Sequence, residues 1–226
     1  MKHLKYACSV FLSALLAGFM ISIGGAVFLK VSADGSTFGR VFGALLFSIG
    51  LFTILAFGLH LYTGKIGLLF LPGKSAGFKC SELCMTLLGN LCGTLAAGGM
   101  FGAFLRGQTS SVAVVNAKTT LLEEHPLRLL ALAVGCGVLM FVAVYGYNNV
   151  QNILTKGILV LFGVGGFILA GFEHSIADMF YVAAAGIWNG KTIGMLALVV
   201  LGNSIGGAVM GLLWHLSKKL YPKSEA

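Results

Sequence analysis

The chain matches itself when it is shifted by half of its length. It has 226 residues, and at a shift of 113 positions the segment 88–93 lands on 201–206, both reading Leu-Gly-Asn-x-x-Gly. We interpret the match as an internal repeat with halves at about 1–113 and 114–226. Three further pairs of glycines coincide at the same shift, Gly24 with Gly137, Gly50 with Gly163 and Gly58 with Gly171.

The composition predicts that both halves lie in a membrane. Hydrophobic residues make up 58% of the chain and charged residues 10%, and the mean hydropathy is +0.95, far from the values of soluble domains. The apolar run from Tyr6 to Leu29 can cross the hydrocarbon core, so it is predicted to be the first span rather than a removable signal. Because three spans per half is an odd number, the second half is expected to enter the bilayer from the opposite side, an arrangement typical of channels and transporters.

Six apolar segments can be drawn, and two of them are too long for straight helices. A helix of roughly 32 residues, at 1.5 Å each, exceeds a hydrocarbon core of about 30 Å. The second and fifth segments contain glycine beside polar residues near their middle, in 58–64 and 171–178, which predicts that each is a broken helix. The segments lie at about 7–30, 40–71, 80–105, 127–147, 154–188 and 191–216.

The predicted fold is therefore an all-α integral membrane protein. A single transmembrane domain over 1–226 would contain six spans in an inverted 3+3 repeat, with broken second and fifth helices. The polar stretch 107–125 is predicted to be the longest loop. The three prolines are expected at span ends, where they interrupt no helix interior, and they are Pro72, Pro126 and Pro222.

The net charge of +8 does not indicate a nucleic-acid partner. Basic residues occur singly or in pairs at the predicted span ends, without a basic stripe that contains aromatic residues. The positive-inside rule places both termini in the cytoplasm, with eight basic residues on that side and six on the other. The cytoplasmic side would have Lys2, Lys5, Lys74, Lys79, Lys156, Lys218, Lys219 and Lys223. The opposite side would have Lys30, Arg40, Arg106, Lys118, Arg128 and Lys191.

His174 is the strongest candidate for chemistry at the centre of the membrane. It lies in the middle of the fifth segment, where ionisable groups are costly and usually face a pathway, and its charge can change near neutral pH. The alternative is a neutral histidine that only holds the break in shape. Asp178 would share the face of His174 where the helix resumes between them. Glu173 would point elsewhere, and it is predicted to support the break by accepting backbone N–H groups.

The first half offers other polar side chains at its own break. Thr63 can donate to an anion or bond its own helix backbone, and His60 can brace the loop or meet the solute. Asn90 and Asn203 occupy repeat-related positions and are predicted to satisfy backbone groups freed by the breaks. Three aromatic residues on the broken spans can close a narrow pore or pack in the core, namely Phe47, Tyr62 and Phe167.

The sequence contains no signature of an enzyme or of a cofactor. It has no metal-binding cluster, nucleophile–base pair or phosphate-binding loop, and its five cysteines form neither a disulfide nor a zinc pattern. We therefore expect no metal and no cofactor. Two other classes stay open. One is a neutral-solute pore of aquaporin type, disfavoured by the missing Asn-Pro-Ala pair, and the other is a membrane scaffold or enzyme subunit.

Motifs spread over the whole chain resemble the formate/nitrite transporter family of prokaryotic membrane channels. The resemblance implies an aquaporin-like fold assembled as a homo-pentamer in the lipid of the prokaryotic inner membrane, with a pore for a small anion in each protomer. The motif at the second break, Gly-Phe-Glu-His-Ser-Ile-Ala-Asp-Met, is the most specific. The matching segments are Ala17–Gly25, Leu61–Gly64, Leu88–Asn90, Gly171–Met179 and Gly202–Gly207.

The resemblance also implies a role for particular residues. It implies a central histidine at His174 with a threonine at Thr63, and a vestibule lysine at Lys118. One constriction is implied at Phe47 and Phe167. A second constriction is implied at Leu51, Leu61, Tyr62 and Met140.

The sequence departs from the family pattern at three positions. The acidic residue usual before the first break is His60, the phenylalanine is Tyr62, and the asparagine of the fourth span is Gly137, which we expect to leave more room beside the pore. With these departures the chain resembles the hydrosulfide-channel branch. The expected solute is a small monovalent weak-acid anion, hydrosulfide first and then formate or nitrite.

A histidine between two apolar constrictions suggests two ways to move such an anion. Desolvating it costs about 20 kcal/mol in the idealised limit and several kcal/mol after relaxation. Positive potential at the mouths would concentrate the anion. His174 would then either donate a proton, so that the neutral acid crosses, or stay charged and attract an anion that remains ionised.

Overall fold

The computed structural model describes residues 2–73, 75–106 and 110–221, and Lys74, Pro222 and Lys223 therefore lie outside the described residues. Within the described residues all regular elements are helices, and α3 continues as a 3₁₀ helix over Ile66–Leu68. The α-helices are α1 (Lys2–Val31), α2 (Thr37–Ala56), α3 (Tyr62–Lys65), α4 (Ala76–Arg106), α5 (Ser110–Glu124), α6 (Pro126–Asn149), α7 (Ile153–Leu169), α8 (Ser175–Ala185) and α9 (Gly190–Leu220).

These helices form the six predicted spans. Within the described residues, five helices are long and apolar enough to cross a membrane, namely α1, α2, α4, α6 and α9. The second span is divided into α2 and α3, and the fifth into α7 and α8. The prediction of broken second and fifth helices is confirmed.

Each break begins with the same hydrogen-bonded turn. Gly58 and Gly171 adopt left-handed backbone conformations, with φ of 63° and 71°. In both turns the residue after the glycine donates its N–H to the carbonyl five positions earlier, at 2.8 Å. This is the Schellman arrangement, in which a residue without Cβ closes the last helical turn at low cost. The two halves therefore end their helices in the same way.

Close contacts between helix backbones hold each half together. α1 packs against α4, and α6 packs against α9. A Cβ atom at Gly93 would lie 2.0 Å from the carbonyl oxygen of Leu15, and one at Gly206 would lie 2.1 Å from that of Val134. Only glycine permits this approach, as at other membrane helix interfaces with small residues.

The repeat does not follow one constant shift. Gly93 and Gly206 are 113 positions apart, but Leu15 and Val134, which they contact, are 119 apart. The predicted equivalence of Gly24 with Gly137 is therefore wrong. The connection between the first two helices is two residues longer in the first half, and α2 is three residues longer than α7, which together account for five of the six positions.

The predicted loop at 107–125 is largely helical. α5 occupies Ser110–Glu124 and packs on α8 and α9, with Val115 buried. Polar residues such as Asn116 are exposed, so the sequence gives a weak apolar pattern for a helix of this length. As a result, Lys118 is placed on a helix beside the second break.

We expect Gly206→Ala to destabilise the protein, because the added methyl group would overlap the backbone of α6. Overpacking of this kind costs about 1–3 kcal/mol, so thermal unfolding in detergent should begin at a clearly lower temperature. Gly194→Ala in the same helix is the matched control, since its Cβ would lie 3.8 Å from Leu122 Cδ2. Equal unfolding temperatures for the two variants would contradict the proposed packing role.

Candidate functional site

The two helix breaks meet through His174 and Thr63. Nε2 of His174 lies 2.9 Å from Oγ1 of Thr63, and both side chains are buried. His174 is the N-cap residue of α8, and Thr63 is the second residue of α3. The start of each half-helix therefore places one member of the pair, although the two are 111 positions apart in sequence.

The hydrogen bonds of the His174 ring define where its proton lies. Nδ1 accepts the backbone N–H of Ala177 at 3.2 Å. A ring nitrogen that accepts has no hydrogen, so in the neutral ring the proton is on Nε2 and points to Thr63. The Thr63 oxygen then accepts, and its own hydroxyl hydrogen can be donated to a third group. The site thus presents a hydroxyl donor that a histidine orients.

Two phenylalanines lie next to this pair. The ring of Phe167 stacks on His174 at a centroid distance of 5.4 Å and an interplanar angle of 19°. Phe47 meets Phe167 edge-on at 5.9 Å and 84°. Because they come from α7 and α2, both broken spans contribute one ring. An apolar layer therefore borders the imidazole.

The residues predicted for a second constriction are also buried. Their side chains belong to one apolar cluster, and Leu61 is the N-cap residue of α3, where it makes no side-chain capping bond. The hydroxyl of Tyr62 lies 2.8 Å from Oγ of Ser204, which ties its ring to α9. The predicted set is Leu51, Leu61, Tyr62 and Met140.

Lys118 lies between two carboxylates near the central histidine. Its Nζ is 3.0 Å from Oδ1 of Asp178 and also contacts the carboxylate of Glu173. A cavity of about 110 Å³ is lined by these three residues and by His174. The prediction that the Glu173 carboxylate accepts backbone N–H groups is wrong, because this carboxylate faces Lys118. The backbone carbonyl of Glu173 belongs to the break instead.

Asn203 bonds the backbone on both sides of His174. Its Nδ2 donates to the carbonyl oxygens of Glu173 and Ala133, each at 2.8 Å, and its Oδ1 accepts the N–H of Ser175 at 2.8 Å. One amide therefore ties the second break to α6 and α9.

Asn90 repeats this arrangement at the first break. Its Nδ2 donates to the carbonyls of His60 at 2.9 Å and Ala14 at 2.7 Å, and its Oδ1 accepts the N–H of Tyr62 at 2.9 Å. The residues bonded are again those before and after the N-cap position. These hydrogen bonds supply partners for backbone groups that a helix break frees.

A second cavity of about 180 Å³ lies at the first break and is lined by His60, Leu61 and Gly64. The two cavities lie at different levels along α1. His60, in the lining of the first-break cavity, donates its N–H to Oγ of Ser13, whereas Phe28 lines the cavity of Lys118. The 15 residues from Ser13 to Phe28 rise about 22 Å along the helix. His174 lines one cavity, and Leu61 and Gly64, on either side of Tyr62 and Thr63, line the other, so the His174–Thr63 pair lies between them.

Gly137 does not leave room beside this centre. A Cβ atom there would lie 2.3 Å from the carbonyl oxygen of Asn203. The position faces α9, where close helix packing excludes any side chain. The expectation that this glycine widens a pore is wrong, because the space is filled by the backbone of another helix.

Sequence reasoning missed three residues that contact the site or its second cavity. Ser204 bonds Tyr62, and Lys65 bonds Glu82 at 2.5 Å. Glu82 had a detectable signal, because it is one of only seven acidic residues and lies within the third apolar segment.

In the described part of the chain, no three His, Cys, Asp or Glu side chains come together as in a metal site. The five cysteines are free.

Six spans, two of them broken around a polar centre, define a multi-pass membrane protein of the channel and transporter class. The sequence model of the formate/nitrite transporter family matches residues 2–216. The chain belongs to the formate/nitrite transporter family, which consists of channels and transporters rather than enzymes.

Relatives and solved structures agree with this assignment. The uncharacterized transporter YrhG of Bacillus subtilis is 28% identical over 96% of this chain and 88% of its own. The formate channel FocA of Escherichia coli K12 is 28% identical over 80% of this chain and 67% of its own. A solved structure titled as a pentameric formate channel with formate bound has a TM-score of 0.78 and 24% identity, covering 96% of this chain and 98% of the other. The fold is thus the aquaporin-like fold of this family.

We expect Asn90→Ala and Asn203→Ala to lower the stability of the fold by similar amounts. Each removes the three hydrogen bonds of a buried amide and leaves backbone groups without partners, so a loss of about 3 kcal/mol or more is expected. Thermal unfolding in detergent measures it, with exposed Asn116→Ala as the control. Unfolding temperatures that match the control would show that the breaks do not depend on these amides.

Proposed function

We propose that this protein is a channel for small monovalent weak-acid anions, with one pore in each protomer. Hydrosulfide is the proposed main solute, and formate and nitrite are the next candidates. The observation that supports the proposal most directly is the His174–Thr63 hydrogen bond, which joins the two breaks between two cavities. The formate channels among its relatives support the same class of solute.

The apolar layer makes the charge of the solute the central problem. Phe47 and Phe167 offer no hydrogen bond to an anion, and transferring a bare charge past them costs several kcal/mol even after relaxation. A weak-acid anion can avoid most of this cost by accepting a proton. Chloride is the base of a strong acid and cannot, so a proton-dependent pore would select against it.

His174 is proposed to supply that proton, and Thr63 is proposed to hold the solute through its hydroxyl. The protonated ring gives a proton to the anion, which yields the neutral acid and the neutral ring. The neutral acid crosses the apolar layer and ionises again on the other side.

The same proposed pathway assigns roles to the other predicted site residues. Phe47 and Phe167 would form one constriction, and Lys118 would stand in the vestibule beside it. Asn90 and Asn203 would support the breaks. The second constriction would comprise Leu51, Leu61, Tyr62 and Met140.

The choice of hydrosulfide depends on departures from the family pattern at His60 and Tyr62. Gly137 does not contribute to this choice, since its position packs against α9.

We also propose that the whole chain forms one transmembrane domain that assembles as a homo-pentamer in the prokaryotic inner membrane, with both termini in the cytoplasm. The pentameric formate channel of similar fold supports this assembly.

We expect His174→Asn to remove the pH dependence of anion flux in proteoliposomes. Wild-type formate flux should rise as the pH is lowered, whereas the variant should lose at least about tenfold in flux, equivalent to about 1.4 kcal/mol of barrier. His125→Asn, on the exposed N-cap residue of α6, is the control. Full flux with the wild-type pH profile in His174→Asn would contradict both the relay and the fixed-charge version.

We expect the pore to discriminate between weak-acid anions and chloride. Under one gradient, hydrosulfide, formate and nitrite should each cross the proteoliposome membrane faster than chloride, with hydrosulfide the fastest. Stopped-flow or electrode measurements with equal concentrations test the order. A chloride flux equal to that of the other anions would contradict the protonation mechanism. Glycerol permeation without anion flux would favour a neutral-solute pore.

A further inference from the structure

Four side chains form a charged cluster beside the first-break cavity, and we name it the Glu82 cluster: Tyr6, His60, Lys65 and Glu82. Oε1 of Glu82 lies 2.5 Å from Nζ of Lys65 and 4.0 Å from Nδ1 of His60. Its other oxygen, Oε2, accepts the Tyr6 hydroxyl at 2.7 Å. The glutamate side chain is only 11% exposed. Two basic side chains therefore share one largely buried carboxylate oxygen.

This cluster lies at the mouth opposite Lys118. His60 and Lys65 line the first-break cavity, whose wall also includes Leu61 and Gly64, the residues on either side of Tyr62 and Thr63. In the proposed channel, an anion that leaves or approaches Thr63 on this side would pass through the cavity. Within the described residues, the charged side chains in its lining are these two bases.

The cluster is the charge-inverted counterpart of the Lys118 site. At the repeat shift of 113, His60 corresponds to Glu173 and Lys65 corresponds to Asp178. At one mouth two carboxylates contact one ammonium group, and at the other two bases face one carboxylate. The same backbone frame thus gives the two mouths opposite charge patterns.

We propose that His60 and Lys65 form a second binding site for the permeant monovalent anion, at the mouth opposite Lys118, and that protonation of His60 strengthens this site. The inference rests on the proposed anion-channel function. While His60 is neutral, Glu82 offsets the charge of Lys65. When His60 gains a proton, two positive groups compete for the same Oε1, and the cavity has one positive charge more with which to attract an anion.

The groups around His60 set the conditions for this response. From α1, the Ser13 hydroxyl accepts the His60 N–H at 3.1 Å, and Tyr6 reaches the shared glutamate. From α4, Glu82 faces the ring and Asn90 bonds the backbone carbonyl. From α3, Lys65 is the competing cation. Since Ser13 and Asn90 hold only the backbone of His60, a side-chain substitution leaves the break supported.

The test compares wild type with His60→Gln, using formate as the probe. Inverted and right-side-out membrane vesicles present opposite mouths to the medium, and labelled formate uptake is followed while the medium is changed from about pH 7.5 to about pH 5.5, the ordinary range of histidine titration. The ratio of wild-type to variant flux removes the contribution of the pH gradient and of His174. A unit charge about 4 Å away in water-like surroundings changes the local population of an anion about fivefold.

We expect this ratio to rise about fivefold on acidification in the vesicle orientation that exposes the Glu82 cluster, and to stay constant in the other. His215→Gln is the matched control, because His215 lies on α9 near the same end of the protein but outside the cavity lining. Glu82→Gln should raise formate flux at about pH 7.5, since Lys65 then lacks its carboxylate. Size-exclusion chromatography checks that each variant is folded.

The outcomes separate this inference from the proposed function. Absence of formate flux in wild type, in either orientation, would refute the channel function itself. Flux that depends on His174 but gives a constant ratio for His60→Gln would refute only the second site. A ratio that falls on acidification would also refute it, because protonation of His60 would then oppose anion entry.

Discussion

Two helix breaks inside the membrane impose one requirement on the structure around them: the backbone groups they free need partners, because lipid offers none. Asn90 and Asn203 supply those partners from the third and sixth spans. Each amide also bonds a carbonyl of the first helix of its half, so a break is tied to two other spans at once. The first residues of α3 and α8 are held in place by these bonds, and Thr63 and His174 are held with them.

The backbone of the two breaks is duplicated, but the side chains at equivalent positions differ in their chemistry. At the repeat shift of 113, the N-cap residue Leu61 corresponds to His174, so an apolar side chain occupies the place of an imidazole. Thr63 corresponds to Ile176. The polar centre is therefore built only once, with one residue from each half, and the equivalent positions supply apolar surface. A symmetric backbone with asymmetric side chains gives a single central site rather than two.

Local signals made the breaks predictable, because an overlong apolar segment with glycine beside polar residues at its middle does not suit a continuous helix in lipid. The pairing of His174 with Thr63 was implied only by the resemblance to the family. The positions of the glycines did not predict how α1 aligns with α6, the first helix of the second half. The chain has 33 of them, and Gly137 matches Gly24 at a shift of 113 but Gly18 at 119. The contacts in the structure show that Gly18 is the equivalent of Gly137, since the two glycines approach the backbones of Asn90 and Asn203 in the same way. The contact between Glu173 and Lys118 depends on α5, the helix that carries Lys118. The polar sequence of α5 predicts a loop rather than a helix.

In the proposed pore, the charge of Lys118 alone is not enough to retain an anion. Its ammonium group lies between Glu173 and Asp178, so two carboxylates offset the attraction that one lysine exerts. What remains at the centre is directional: the start of α8, with its positive dipole end, and the hydroxyl of Thr63 oriented by His174. Directional donors can hold an anion while it is charged and release it once it is protonated, because a neutral acid gains less from them. A weak acid satisfies both conditions in one passage, whereas an anion that cannot be protonated satisfies only the first.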